Sequence, residues 1–220
     1  MTLKLVLFDL DGTLLDTAPD FIVCVNALRQ QHGLPPLPDA SIRAEVSNGA
    51  RALTQLAFQL TDAAPELEPL RQALLALYSD VLGQHSTLFP GMREALEQIQ
   101  QRQLAWGIVT NKPSVFTLPL VARVPWPAPP ATVICPDHVT HTKPHPEPLL
   151  LACRQIGCEA NQAIYLGDHC RDIEAGRAAG MPTVSCGWGY LAEGESCHGW
   201  QASYHLQHPA DIPALLATLV

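Results

Sequence analysis

The fold of this chain is decided first by the stretch LVLFDLDGT, residues 5–13. Its first four residues form an unbroken apolar run, which is typical of a parallel strand covered on both faces. Successive side chains of a strand point to opposite faces, so Asp9 and Asp11 share one face and can reach a common ion or substrate. A simple turn at Asp11-Gly12 is the alternative interpretation, because Asp-Gly is a common turn dipeptide. The stretch predicts a buried strand that ends in two paired carboxylates.

The bulk composition limits the class of protein. The chain has 220 residues, of which 47% are hydrophobic and 15% charged, enough for one domain or for one domain with a smaller insertion. The net charge is −8, and the 13 Lys and Arg residues are scattered along the chain. Because this charge would repel a phosphate backbone, a nucleic-acid partner is not expected.

Cysteine usage and the absence of long apolar runs predict a cytoplasmic protein, and we expect a monomer without a membrane partner. The seven cysteines are odd in number and form no CxxC pair, which favours free thiols. No signal-like leader precedes Asp9, and each apolar run is shorter than the ~20 residues of a bilayer span. His138, His141 and His145 lie in a proline-containing loop without cysteines at finger-like spacing, so we expect surface histidines rather than a zinc site.

Strand and helix patterns alternate along most of the chain. Four further short apolar runs predict strands at residues 104–110, 131–135, 163–166 and 182–186. Helical patterns occupy residues 92–103, 113–121, 146–156 and 172–179. This alternation predicts a doubly wound α/β fold with a parallel sheet, formed by residues 1–16 and 88–220.

Residues 17–87 break that alternation, because they show helical periodicity and no convincing strand. A first helix ends before Gly33, and further helical patterns cover residues 50–60 and 66–82. We therefore expect a small helical cap domain, inserted after the first strand.

Polar side chains follow the ends of several predicted strands. Asp9, Thr110 and Asp168 each stand at such an end, and ligands of open parallel sheets bind beyond the carboxyl ends of the strands. Lys143 lies in the loop after the third strand, and Asp172 follows Asp168 by one helical turn. Turn and helix-cap roles explain individual members of this set but not their joint placement.

Carboxylates gathered with a lysine and a hydroxyl indicate a hard-cation site of the magnesium kind, with room for a phosphate. A like-charge pair at 4 Å costs about 4 kcal/mol at an effective dielectric constant of 20. A barrier increase of that size slows a reaction roughly a thousandfold. A phosphate dianion would meet several such repulsions, so we expect catalysis to require the divalent cation.

These motifs resemble those of phosphatases in the haloacid dehalogenase superfamily. Those enzymes carry DxDGT, a Thr or Ser after the second strand, a Lys and a GDxxxD element. The same order is found at residues 9–13, Thr110, Lys143 and residues 167–172. The resemblance implies a Rossmann-like core with a helical cap and magnesium-dependent hydrolysis of phosphomonoesters.

The resemblance also implies roles for the strand-end residues. Asp9 would attack phosphorus and form an aspartyl-phosphate, while Asp11 would act as general acid and then as general base. Asp9, Asp168 and the backbone carbonyl of Asp11 would hold Mg²⁺. Thr110 and Lys143 would stabilise the transferring phosphoryl group.

Two further residues belong to this set. Asn111 would help to bind the phosphate beside Thr110. Asp172 would orient Lys143 or a metal-bound water.

The most suggestive string in the cap runs from Ser47 to Arg51, a polar turn that leads into a helix. Asn48 and Arg51 could hold a carboxylate or sugar hydroxyls of the substrate. The competing interpretation is a simple helix cap with a solvated arginine. Arg43 and Lys112 are weaker candidates of the same type.

Nearly the whole chain resembles the branch grouped with bacterial phosphoglycolate phosphatases. The resemblance implies a small phosphorylated metabolite as substrate, foremost N-acetylmuramic acid 6-phosphate of peptidoglycan recycling, with 2-phosphoglycolate as the alternative. A sugar phosphate mutase with a similar cap is a further alternative. A phospho-accepting signalling module belongs to a different class, and its accepting Asp follows a later strand.

The chain departs from the family pattern at three places. His145 stands where an Asp is usual after Lys-Pro, and His169 follows the expected metal ligand Asp168. A proline-dense loop occupies residues 125–130. Near the carboxylates, His169 would favour its protonated form, so we do not expect this chain to share the pH profile of its relatives.

Overall fold

The computed structural model describes residues 3–191, 194 and 196–219. The strands, in chain order, are β1 Leu5–Phe8, β2 Leu15–Asp16, β3 Thr87–Leu88, β4 Ala105–Val109, β5 Thr132–Ile134, β6 Ala163–Gly167, β7 Thr183–Cys186 and β8 Tyr204–Leu206. Six of them form a parallel sheet in the order β5-β4-β1-β6-β7-β8. The predicted doubly wound α/β fold is confirmed.

Helices flank the sheet and fill the segment between β2 and β3. They are α1 Ala18–Gln31, α2 Asp39–Glu45, α3 Gly49–Phe58, α4 Leu67–Val81, α5 Met92–Gln101, α6 Ser114–Arg123, α7 Glu147–Ile156, α8 Cys170–Ala178 and α9 Ile212–Leu219. Within the described residues, no helix is both long enough and apolar enough to cross a bilayer.

Strand β1 lies at the centre of the sheet and is buried on both faces. Leu5 and Leu7 pack into one apolar cluster with side chains of α7, whereas Val6 and Phe8 pack into the other with side chains of α5. All four residues have no exposed surface. A strand covered on both sides has no polar face, which explains the unbroken apolar run that precedes Asp9.

Several elements were not predicted. The two-residue strands β2 and β3 pair antiparallel where the chain leaves the core and returns to it. They are too short to produce an apolar period. Helix α2 follows a turn that contains Pro35, Pro36 and Pro38, and β8 and α9 lie beyond residue 186, where no element was expected. The predicted helices and strands all exist, with boundaries within two residues of those observed.

The helical segment, which comprises residues 17–87, packs mainly on itself, because α1 contacts α2, α3 and α4. Phe21 of α1 stacks on Tyr78 of α4, with ring centroids 4.0 Å apart. The buried carboxylate of Asp20 accepts hydrogen bonds from the backbone N–H groups of Gly83 and His85, both at 2.8 Å. These contacts fix the end of α4 against α1, at the point where the chain turns back to the core.

Candidate active site

Three carboxylates meet at the carboxyl edge of the sheet. Asp9 follows β1, Asp168 follows β6, and Asp172 lies in the first turn of α8. One oxygen of each lies within 4.8 Å of the others. The convergence follows from the parallel pairing of β1 with β6, which brings both strand ends to the same edge.

Lys143 is the buried cation of this edge, with 3% of its surface exposed. Its Nζ lies 2.9 Å from Asp9 Oδ1 and 2.7 Å from Asp172 Oδ1. It also donates to the carbonyl oxygen of Val109 at 3.1 Å and to the hydroxyl of Tyr165 at 2.8 Å. Burial opposes its charge, but Asp172 and Asp9 outweigh burial and raise the pKa of Lys143. Lys143 is therefore a fixed ammonium group beside Asp9.

Tyr165 is part of this arrangement, and sequence reasoning missed it. It lies in β6, where its hydroxyl is 2.9 Å from the Val109 carbonyl oxygen and 3.2 Å from Asp172 Oδ1, and its one proton can be donated to either acceptor. In the sequence, Tyr165 is one more apolar residue of a buried strand, and no motif marks its hydroxyl.

Asp168 is held by donors from three parts of the chain. It accepts from Thr13 Oγ1 at 2.8 Å, from the backbone N–H of Tyr190 at 3.0 Å and from Ser47 Oγ at 3.2 Å. Ser47 belongs to the short turn between α2 and α3. The helical segment thus contacts the carboxylate edge, formed by Asp9, Asp168 and Asp172, directly.

The carboxylates of this edge outnumber the ammonium group that faces them. Burial raises the pKa of Asp9 to about 6, although Lys143 opposes the shift. Burial, followed by the charges of Asp9 and Asp172, raises the pKa of Asp168 to about 7. One ammonium group faces three carboxylates, and like charges at this spacing disfavour full ionisation.

The residues of this edge fit a magnesium ion. Their donors are all carboxylate oxygens, which suit hard cations such as Mg²⁺. Glycine keeps the backbone clear beside them, since a Cβ on Gly12 would lie 2.1 Å from Asp168 Oδ2. Gly12 also has a φ of +79°, which other residues rarely adopt.

Asp11 lies beside this group, but its carboxylate contacts other partners. Oδ1 accepts from Thr17 Oγ1 at 2.5 Å and from Lys112 Nζ at 3.0 Å. Burial opposes the charge of Lys112, but Asp11 outweighs it and raises the pKa of Lys112. The ammonium group also lies over the rings of Tyr78 and Phe21, at 4.7 and 5.1 Å. Lys112, a weak candidate in the sequence, is the direct charged partner of Asp11.

Thr110 and Asn111 follow β4. Thr110 is buried, and its Oγ1 accepts from the backbone N–H of Lys112 at 3.1 Å. Asn111 binds the backbone of Lys143 twice, since Nδ2 donates to its carbonyl oxygen at 2.9 Å and Oδ1 accepts from its N–H at 3.1 Å. This contact suits a role in positioning Lys143 better than the phosphate contact expected for Asn111.

A cavity of about 300 Å³ opens between the carboxylate edge and the helical segment. It brings together most residues that the sequence singled out: Asp9, Asp11, Asn48, Arg51, Thr110, Asn111, Lys112 and Lys143. It also contains residues that sequence reasoning passed over or left without a substrate role: Phe21, Arg71, Tyr78, Phe116, His169 and Arg171.

All five residues of the polar string from Ser47 to Arg51 line the cavity. Arg51 pairs with Asp62 at 2.9 Å, and half of its side-chain surface is exposed. Asn48 Oδ1 accepts from Arg171 of the core at 3.2 Å. Arg43 instead pairs with Asp16 at 2.9 Å and is not among the residues that line the cavity.

Arg71 and Tyr78 extend the cavity wall along α4. Arg71 pairs with Glu68 at 2.7 Å. The Tyr78 hydroxyl is buried without a hydrogen-bond partner among the described residues. The apolar periodicity of α4 could have placed Tyr78 on the inner face, but no motif distinguishes Arg71 from a solvated arginine.

His169 and Cys170 lie at the start of α8. His169 caps this helix, since its Nδ1 accepts from the backbone N–H of Arg171 at 3.2 Å. Burial raises the pKa of the Cys170 thiol, which disfavours the reactive thiolate. These contacts give His169 a structural role at the mouth of the cavity.

Comparisons with known proteins agree with this geometry. The family model described as haloacid dehalogenase-like hydrolase matches residues 6–186, and the chain belongs to this family. An N-acetylmuramic acid 6-phosphate phosphatase of Pseudomonas aeruginosa is 45% identical over 96% of this chain and 94% of its own. A phosphoglycolate phosphatase of Xanthomonas campestris pv. campestris is 42% identical over 95% of this chain and 94% of its own. By catalytic class, the chain is a phosphomonoester hydrolase.

Solved structures support the same fold. The crystal structure of a predicted phosphoglycolate phosphatase from Haemophilus somnus superposes with a TM-score of 0.85 at 25% identity, covering 98% of this chain and 99% of that one. The phospho-accepting signalling module considered above is not supported, because Asp9 follows the first strand and the family is that of hydrolases.

Proposed function

We propose that this enzyme hydrolyses N-acetylmuramic acid 6-phosphate and requires Mg²⁺. The observation that carries the proposal is the cavity of about 300 Å³, which combines cationic side chains with aromatic rings above the carboxylate edge. The proposed substrate presents a phosphate, a lactyl carboxylate and a sugar ring. The 45% identity to the Pseudomonas phosphatase over nearly the whole chain supports the same substrate.

The cavity wall offers a partner for each part of this substrate. Arg71, Arg51 and Arg171 line it and can pair with the lactyl carboxylate. Phe116 provides apolar surface for the sugar ring.

The second candidate substrate is 2-phosphoglycolate, which the 42% identity to the Xanthomonas phosphatase favours. It is a small anion with one carboxylate beside its phosphate, so a single arginine would satisfy that carboxylate. Ligand cavities of roughly 300 Å³ and above are typical of larger molecules. Phosphoglycolate would therefore leave much of the cavity without a contact.

In the proposed mechanism, Asp9 attacks the phosphorus atom in line and forms an aspartyl-phosphate, which water then hydrolyses. Asp11 donates a proton to the leaving sugar oxygen in the first step and accepts one from water in the second. Thr17 and Lys112 hold the carboxylate of Asp11 in place.

The remaining charges act on the phosphoryl group. Lys143 and Thr110 would stabilise its equatorial oxygens, and Asp172 would keep Lys143 oriented through their contact at 2.7 Å. When held by Asp9, Asp168 and the backbone at Asp11, Mg²⁺ would neutralise the carboxylate edge and the negative charge of the phosphate. Restored ionisation of Asp9 would make this carboxylate a competent nucleophile.

We also propose that residues 17–87 act as a cap domain over a core of residues 1–16 and 88–220. Contacts that cross between them near the site include Ser47 with Asp168 and Asn48 with Arg171, both at 3.2 Å. A cap that closes on substrate excludes bulk water from the phosphoryl group during its transfer to Asp9. We expect a monomer in the cytoplasm, testable by light scattering and by cell fractionation.

The deciding experiment measures phosphate release from both candidate substrates, as kcat/KM, with Mg²⁺ and with chelator. We expect a strong preference for the amino-sugar phosphate. Preference for phosphoglycolate would contradict the proposal, and phosphate retained on the sugar would indicate a mutase.

A further inference from the structure

Three potential metal ligands lie together on the surface, outside the proposed catalytic site. They are His141, His145 and Glu147, and one ligand atom of each lies within 4.8 Å of the others. The two imidazole rings have centroids 4.6 Å apart. None of the three lines the cavity between the core and the helical segment.

Hydrogen bonds already orient these side chains. The Glu147 carboxylate accepts from the backbone N–H groups of Thr140 at 3.0 Å and His141 at 2.9 Å. His145 Nδ1 accepts from the backbone N–H of Glu147 at 3.2 Å, and His141 Nδ1 lies 3.0 Å from Glu147 Oε2. These contacts hold both rings beside the carboxylate, and a bound ion would replace the contact between His141 and Glu147.

The exposure of the cluster allows an ion to reach it. The side chain of His141 is 61% exposed, and that of Glu147 is 28% exposed. The backbone N–H of Thr140, followed by the contact with His141, lowers the pKa of Glu147. Its carboxylate is therefore ionised at neutral pH.

We propose that His141, His145 and Glu147 form a surface binding site for a zinc-like transition metal ion, separate from the carboxylate edge. Imidazole nitrogen suits Zn²⁺, Co²⁺ and Ni²⁺, whereas Mg²⁺ prefers oxygen ligands. Two imidazoles and one carboxylate are a known zinc ligand set, which leaves the fourth position to water. The sequence argued against zinc because cysteines at finger-like spacing were missing, but the structure adds Glu147 as a third ligand.

The test is a calorimetric titration of the full chain with Zn²⁺ in excess Mg²⁺, which keeps the carboxylate edge occupied. Wild type should bind one more zinc equivalent than His141→Ala and His145→Ala, or bind it at least about tenfold more tightly. Glu147→Gln should weaken the same site. His85→Ala removes another exposed histidine and should leave the titration unchanged.

A second readout locates the ion. Zn²⁺ should shift the ring proton signals of two histidines in the NMR spectrum of wild type, and Mg²⁺ should not. Both shifts should disappear in His145→Ala, an exposed position whose replacement leaves the core intact. Equal zinc binding by wild type and His145→Ala, or no histidine shift on adding Zn²⁺, would overturn the proposal.

Discussion

The carboxylate edge of the core and the cavity wall of the helical segment hold their polar groups in different ways. At the edge, Lys143 and Asp172 are buried and lie 2.7 Å apart. On the wall, Arg51 and Arg71 pair with acids of their own segment, and Arg51 is half-exposed. Buried charges depend on one fixed arrangement, whereas solvated arginines can exchange partners at little cost.

We expect this difference to separate catalysis, which depends on the buried charges of the edge, from substrate binding, which depends on the arginines of the wall. Removing Lys143, the ammonium group of the edge, leaves the carboxylates around it uncompensated, so stability and activity should fall together. Removing an arginine of the wall leaves an acid that water can solvate, so only substrate binding should suffer. The four predictions that follow test this contrast.

The largest effect is expected for Asp9→Asn. The amide has nearly the same shape but is not a nucleophile, so kcat should fall by about 10⁴-fold or more. The fold should remain, as judged by circular dichroism and melting temperature. Multiple turnovers by this variant, free of wild-type enzyme, would refute the aspartyl-phosphate mechanism.

Lys143→Met should reduce both activity and stability. It leaves Asp9 and Asp172 without their ammonium partner, and breaking a buried pair costs about 3 kcal/mol or more in the free energy of unfolding. Chemical denaturation and phosphatase assays measure the two losses.

The double variant Lys143→Met, Asp172→Asn is the control for Lys143→Met, since it removes both buried charges. It should regain part of the stability and none of the activity. If Lys143→Met is as stable as wild type, the edge does not depend on this pair.

The pH dependence of stability should depend on Asp168 when Mg²⁺ is removed. Its pKa is raised from 3.8 to about 7, so the folded protein holds this proton more tightly than the unfolded chain does. The corresponding stability is present below about pH 4 and is lost as the pH rises to about 7. Asp168→Asn removes this loss, so the melting temperature of the variant should gain on wild type between pH 5 and 8 in chelator.

Magnesium provides the control for this comparison. Saturating Mg²⁺ should raise the melting temperature of wild type at pH 8, because a ligand that binds only the folded state stabilises it. The increase should be much smaller for Asp168→Asn. Equal increases in both proteins would place the ion elsewhere.

The smallest effect is expected for Arg71→Ala, which should raise KM for N-acetylmuramic acid 6-phosphate about tenfold and leave kcat nearly unchanged. A phosphate ester without a carboxylate, such as p-nitrophenyl phosphate, should show no such rise. Arg154→Ala, an exposed arginine outside the cavity, is the matched control. A loss of kcat in Arg71→Ala would mean that the wall also takes part in the reaction.

Much of the fold was predictable because its signals are local. The apolar run before Asp9 and the Val- and Ile-rich runs near residues 105, 132 and 163 indicate buried strands by themselves. The pair β2 and β3 was missed because two residues form no period, and their pairing joins chain positions 15–16 and 87–88.

The sequence by itself determined which groups stand at the strand ends, and hence the class of reaction. Asp9, Asp168 and Lys143 follow from motifs of a few residues whose direction is set by the strands before them.

Only the tertiary structure decided which side chains line the cavity and which pair elsewhere. The Asn111 amide is used by the Lys143 backbone, Arg43 pairs away from the cavity, and Arg71 and Tyr78 of α4 enter the wall. The physical reason is that strand geometry fixes neighbours over a few residues. The cavity wall, by contrast, is assembled from segments whose approach depends on how the helices pack.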